Sequence, residues 1–368
     1  MPRRARLIML VAVAALWTAP AARAHHSFFG RFDTATLIEL EGEVVELLWR
    51  NPHVSFTVRV AGAADAAVDW EIETSSLTVL RRMGIDEGTF NVGDRIRIAG
   101  NPPVGAKEEL YARHVLLPDG RELLLNVGLK PRWSSAALGD DSLLMARMGD
   151  GSRPELGIFR VWSHTRAEAR LFPEATDPNF DIQSYPLTPA ARAALDKFDR
   201  ATDNPTANCT PKGMPTIMEA PYPIELVQQA DGNIVLRLEE YDLERPIRMS
   251  RGPPAEPPTP SPLGYSVGRW EGRTLAVATS RVNWPYFSQL GIPQSPNVAI
   301  VERFTPSDDG SRLDYEMTVI DPATFTKPVV LKQYWLYLPE VRLMPYQCTD
   351  VTRARGGTAG RAPRSLQR

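Results

Sequence analysis

Between residues 37 and 125 short β-favouring runs alternate with turn signals, and a single helical pattern interrupts them. This order leaves few folds open. Residues 37–60, LIELEGEVVELLWRNPHVSFTVRV, predict two strands meeting at Asn51-Pro52, with Val44, Phe56 and Val58 in partly alternating runs. Gly42 inside the first run predicts a bulge or a sharp coil. A small-residue turn over 61–67 leads to a third strand over 68–73. Ser75 or Ser76 then caps a helix whose face carries Leu77, Leu80 and Met83, and Gly84 stops it. Val92-Gly93-Asp94 turns into a strand over 95–99, residues 110–117 form another, and Pro118-Asp119-Gly120 closes a hairpin with 121–125. Three strands, a helix and two strands is the order of an OB fold, a five-stranded Greek-key barrel. Residues 25–126 are therefore read as an OB-like domain.

Beyond it the pattern weakens. Residues 127–190 contain Pro173, Pro178 and Pro186, and read as an irregular linker with a strand start at Ile158 to Trp162. Thr188-Pro189 opens a helix over 190–198, proline standing in its first turn. From Ile224 strands return: 224–228, 234–241, 246–249, 265–270, 273–281, 298–304, 312–320 and 327–338. Asp231-Gly232, Glu271-Gly272 and Asp308-Asp309-Gly310 supply the turns, and Gly252 to Pro262 forms an extended proline-rich loop. Residues 191–350 are thus expected to be an antiparallel β-sandwich or barrel, followed by a flexible basic tail over 351–368. The chain as a whole is read as mostly β.

The first 24 residues have the pattern of a secretory signal peptide. Arg3, Arg4 and Arg6 precede the apolar run Leu7 to Trp17, and Ala22-Arg23-Ala24 offers small residues at a cleavage site. A membrane anchor needs roughly 20 apolar residues, and Thr18, Pro20 and Arg23 break this run. The expectation is a periplasmic or secreted protein starting at His25. Loss of four arginines and no acids takes the net charge from −2 to −6. A nucleic-acid partner is not expected, because such binding draws on clustered Lys and Arg. No later segment reaches membrane-spanning length. Cys209 and Cys348, the two cysteines, read as a structural disulfide in an exported chain. A redox-active pair would call for C-x-x-C spacing.

Several stretches stand in an order that resembles a known family. They are His25-His26-Ser27-Phe28, Leu40-Glu41-Gly42-Glu43-Val44, Trp49 with Asn51-Pro52-His53, Leu80-Arg81-Arg82 and Gly93-Asp94. The family is the exported bacterial domain-of-unknown-function 6152. Pro221-Tyr222-Pro223, Tyr265 to Gly272, Val301-Glu302-Arg303-Phe304 and Asp321-Pro322 resemble a β-rich domain found beside it in exported proteobacterial proteins. The resemblance implies compartment and arrangement, and no activity. Relatives of the second domain often carry histidines before the Val-Glu-Arg-Phe strand, where this chain has Gln294 and Asn297.

Cleavage after Ala24 would make the candidate chemistry. A terminal amine and the Nδ1 atom of the same His25 chelate one metal ion, and a further imidazole completes a T-shaped site suited to copper. His26 and His53 are the candidate partners. The amine, with a pKa of about 8, must lose its proton to bind. The other reading makes His26 a packing residue beside Phe28, Phe29 and Phe32, and His53 a turn residue bonded to a carbonyl. His114 reads as a structural strand histidine, and His164 has no evident partner. No H-E-x-x-H and no Gly-rich phosphate loop occurs, so an enzyme is not the favoured reading, and an oxidative copper enzyme ranks third. A metal-free module binding a small ligand or protein is the rival. It would use the barrel face or an aromatic loop of Trp284, Tyr286 and Phe287. Trp270 and Trp335, within strands, are expected in the core.

Overall fold

The structure is a computed structural model that describes residues 31–62, 66–126, 128–139, 154–163, 171–173, 180–199, 203, 205–249 and 258–348. The first barrel is built from β1 (Ile38–Leu48), β2 (Ser55–Ala61), β3 (Ala67–Glu73), β4 (Arg95–Asn101) and β5 (Glu109–Leu116). Their order is β3-β2-β1-β4-β5, and a parallel β3–β5 pairing closes the ring into the expected five-stranded barrel. Helix α1 (Leu77–Arg82) lies between β3 and β4 in sequence, with the Ser76 side chain accepting from the Val79 amide. Its Leu77 and Leu80 join Val44, Phe56, Ile72, Ile98 and Val115 in the barrel core. Gly42 serves close approach: a Cβ there would lie 2.4 Å from the Arg59 carbonyl oxygen. The β1–β2 register shift falls a few residues later, between Val44 and Glu46.

Outside the closed ring, β6 (Glu122–Leu124) pairs with β5, and β7 (Ala137–Leu138) pairs with β6. Short pieces of 127–190 thus join both sheets, while the rest of its described residues before the second helix are turns and coil. β8 (Val161–Trp162) opens the second sheet, and Ile158, Trp162, Phe172, Tyr185 and Leu187 all lie in its core. Helix α2 (Pro189–Leu195) is capped by the Thr188 hydroxyl, which accepts from the Ala191 amide at 3.2 Å.

The second sheet runs in sequence order. It contains β8, β9 (Ile224–Gln228), β10 (Ile234–Leu238), β11 (Leu243–Arg248), β12 (Tyr265–Glu271), β13 (Thr274–Ser280), β14 (Ala299–Pro306), β15 (Arg312–Ile320) and β16 (Val329–Leu336). All neighbours are antiparallel except β11 and β12, which the proline-rich segment connects; residues 250–257 of that segment lie outside the described residues. Ser163 and Leu336 exchange backbone hydrogen bonds of 2.8 and 2.9 Å, so the nine strands bend into a nearly closed barrel. The strand expected over 234–241 ends at Leu238. A 3-10 turn follows, in which Tyr241 and Asp242 have φ of 62° and 52°.

Cys209 and Cys348 form a disulfide with Cα atoms 5.8 Å apart. Trp335 is buried as expected, but Trp270 is not in the core. It is 43% exposed, stacking edge-on against Phe159. Its position matches the inward alternation of Ser266 and Gly268, yet it sits at the strand end beside the Glu271-Gly272 turn, past the filled interior.

Candidate functional site

His53 follows the cis Asn51-Pro52 bond in the loop between β1 and β2. This loop is tied to the end of β3: the Thr74 amide donates to the Val54 carbonyl at 3.0 Å, and the Val54 amide to the Ser75 carbonyl at 3.1 Å. The His53 Nδ1 atom is 2.8 Å from the Thr74 carbonyl oxygen. A carbonyl only accepts, so Nδ1 carries the proton, and Nε2 is the ring nitrogen left to bind a metal ion when the ring is neutral. Nε2 faces Glu73 Oε1 at 3.6 Å. That distance is too long for a hydrogen bond, and Glu73 Oε1 is buried with no hydrogen-bond partner. With the ring neutral, two lone-pair donors converge on one space.

The rest of Glu73 is fixed. Arg31 Nη1 donates to Glu73 Oε2 at 2.6 Å, and Arg31 Nε donates to Glu109 Oε2 at 3.2 Å. Burial acts to lower the Arg31 pKa, but the two carboxylates more than offset it and hold the guanidinium above its ordinary value. The charged pair leaves the second Glu73 oxygen turned to His53. His25 and His26 lie outside the described residues. Among the described residues, no group of three His, Cys, Asp or Glu gathers around one point; His53 and Glu73 supply two donors.

The second barrel and the segment that follows it bond this loop and helix α1. Asn51 Nδ2 donates to the Tyr346 carbonyl, and Asn51 bridges to Cys348. Arg82 donates to Glu239, whose Oε2 also accepts the Met344 amide at 3.0 Å. Tyr222 meets Tyr346 edge-on and Tyr241 meets it at a tilt, with ring centroids 5.3 and 5.0 Å apart. The nearby Lys212 Nζ donates to Glu240 Oε1 at 2.8 Å, both side chains being buried. Burial first, then the Glu240 charge, pushes the Tyr222 and Tyr241 hydroxyls well above the ordinary tyrosine range.

The aromatic segment is placed differently from an exposed binding loop. Trp284 and Phe287 are buried in the second core, where Phe287 packs against Phe172, Tyr185 and Phe325. Tyr286 is half-buried against Phe198. The segment is folded inward because Trp284 Nε1 and the carbonyls of Tyr286 and Phe287 all bond Thr216, while Gln294 bonds the Met214 and Trp284 carbonyls. His114 is buried with Nδ1 2.9 Å from Glu122 Oε1, and His164 lies outside the described residues.

The second barrel also holds a polar network that sequence reasoning missed. Inside it, Arg245 donates to both oxygens of Glu302, to Thr279 Oγ1 at 2.6 Å and to Ser266 Oγ at 3.0 Å. The Tyr315 hydroxyl donates to Glu302 Oε1 at 2.8 Å. All five side chains are buried. The signal was present in the parity: Arg245 stands between Leu243 and Ile247, and Glu302 between Ile300 and Phe304, each on the inward face of its strand.

Fold and site together define a two-barrel β protein with a histidine–carboxylate pair at the mouth of the first barrel. Residues 12–110 match the family model of DUF6152, described as a family of unknown function. That span reaches the start of β5 and includes His53, Glu73 and Glu109. No curated protein and no solved structure matches the chain.

Proposed function

We propose that the protein is an exported, non-enzymatic binding or accessory protein that holds a late transition metal ion, copper first, through His53 and the N-terminal His25 and His26. The observation that carries this reading is the His53–Glu73 pair. The Thr74 carbonyl fixes the imidazole as metal-binding histidines are fixed, by a bond to the other ring nitrogen. Nε2 and an unpartnered buried carboxylate oxygen then face each other 3.6 Å apart, a spacing two ligands can adjust to around one ion with bonds of about 2 Å. A terminal amine and imidazole would add nitrogen donors, the set that favours copper within the divalent order. Export is supported by the leader pattern of residues 1–24 and by the disulfide. Among the described residues no helix is long and apolar enough to cross a membrane.

The test is calorimetric titration of copper(II) into protein starting at His25, into the same protein with one extra N-terminal residue, and into His53→Ala. Both changes should weaken binding at least tenfold. Equal affinity in all three would refute the site.

A further inference from the structure

Arg31 roots the amino-terminal arm on the first barrel. Its guanidinium bridges two buried carboxylates, Nη1 donating to Glu73 Oε2 at 2.6 Å and Nε to Glu109 Oε2 at 3.2 Å. Glu73 ends β3 and Glu109 opens β5, so the bridge spans the parallel pairing that closes the barrel. Buried carboxylates without a counter-charge are costly, and the fork of an arginine can serve both at once. Folding of the barrel therefore draws this side chain to its mouth.

The backbone is fixed at the same point. The Val104 amide donates to the Arg31 carbonyl at 2.7 Å, and the Asp33 amide to the Pro102 carbonyl at 2.8 Å. Between them Phe32 is buried, its ring 5.6 Å from that of Tyr111.

This anchor lies close to His53. Glu73, held by Arg31 through Oε2, presents Oε1 to His53 Nε2 at 3.6 Å. One arginine side chain and one carboxylate thus separate the root of the arm from the imidazole. His26 stands five residues before Arg31 and His25 six, and chains of those lengths reach at most about 18 and 21 Å, more than that gap. A tether so short keeps its donors at about millimolar effective concentration over the site.

We propose, resting on the metal reading above, that Arg31 is the positioning residue of the site: by docking the root of the arm between Glu73 and Glu109, it lets the amino-terminal donors and His53 close on one ion. A terminal amine and imidazole chelate copper(II) wherever the arm lies, so what docking adds is the dependence of affinity on His53.

Calorimetric titration of copper(II) into protein beginning at His25 tests this through a mutant cycle. The undocked background is Arg31→Met with Glu109→Gln, which removes one charge of each sign. His53→Ala should weaken binding about tenfold or more in the wild type and less than about twofold in the undocked background, where copper stays on the terminal donors. An equal loss in both backgrounds would overturn the role of Arg31 and leave the metal site standing. No loss in the wild type would refute the metal site and this role together. A second variant keeps the Arg31 ion pairs and carries ten Gly and Ser residues inserted after Gly30. Lengthening the tether from six residues to sixteen should lower affinity about fourfold by the −3/2 power of its length, and an unchanged affinity would equally overturn the proposal.

Discussion

Replacing Glu302 by Gln should destabilise the second barrel far more than a one-atom change suggests. The Arg245 guanidinium is buried, and Glu302 is the only carboxylate that pairs with it among the described residues. In Glu302→Gln the new amide keeps the shape but leaves the charge facing only the Thr279 and Ser266 hydroxyls and a neutral carbonyl oxygen. Removing one partner of a buried pair costs about 3–5 kcal/mol. The Tyr315 hydroxyl keeps an acceptor in that amide oxygen, so its contribution to the loss is small. The double change Arg245→Met with Glu302→Leu should cost less than either single change. The interior then loses the desolvated charges, and Ser266 and Thr279 still bond each other at 3.0 Å. The Tyr315 hydroxyl is left without Glu302 and accounts for about 1–3 kcal/mol. Urea unfolding followed by tryptophan fluorescence reads the effect, since Trp335 stacks on Phe304 and lies 5.2 Å from Tyr315. A single change costing under about 1 kcal/mol, or a double change equal to the sum of the singles, would refute a net electrostatic role for the pair.

Other expectations follow from the same geometry. Breaking the disulfide with Cys348→Ser removes a crosslink between residues 139 apart, worth about 5 kcal/mol in the chain-entropy model; a Tm unchanged in the variant would contradict it. Burial alone would raise the Glu122 carboxyl, but the Trp133, Arg132 and Ser134 amides and the His114 ring hold it below its ordinary value. Its contribution is therefore present above the unfolded carboxyl pKa of about 4.3 and lost as pH falls through the lower folded one. Hydrogen exchange should show the amides of residues 132–134 losing protection in that window, with no such step in Glu122→Gln. Gly100→Ala should cost about 1–3 kcal/mol in chemical denaturation, since the added methyl meets backbone at Tyr111.

Much of the first barrel was legible because its signals are local. Alternation around Val44, Phe56 and Val58, the Ser76 cap and the Gly84 stop all act within a few residues, and they give the strand and helix order. Cys209 and Cys348 were readable from their number and the leader-like pattern of residues 1–24. The closure of the second barrel was not, because it rests on one bridge between Ser163 and Leu336, far apart in sequence. The inward parity that reveals Arg245 and Glu302 misleads at Trp270, where the strand outruns the core. His53 was singled out by residue type, but Glu73 was not. Its role depends on Arg31, 42 residues away, taking one oxygen and leaving the other. The aromatic segment 284–287 was ambiguous in sequence, since a core aromatic and a binding aromatic look alike until Thr216 is seen to anchor it.

The most direct test of the metal site is electron paramagnetic resonance of copper(II) bound at one equivalent to protein beginning at His25. If His53 is a ligand, the nitrogen hyperfine pattern of the wild type should lose one contributing nitrogen in His53→Ala, and Glu73→Gln should alter the spectrum without removing a nitrogen. A spectrum identical in wild type and His53→Ala would contradict the account.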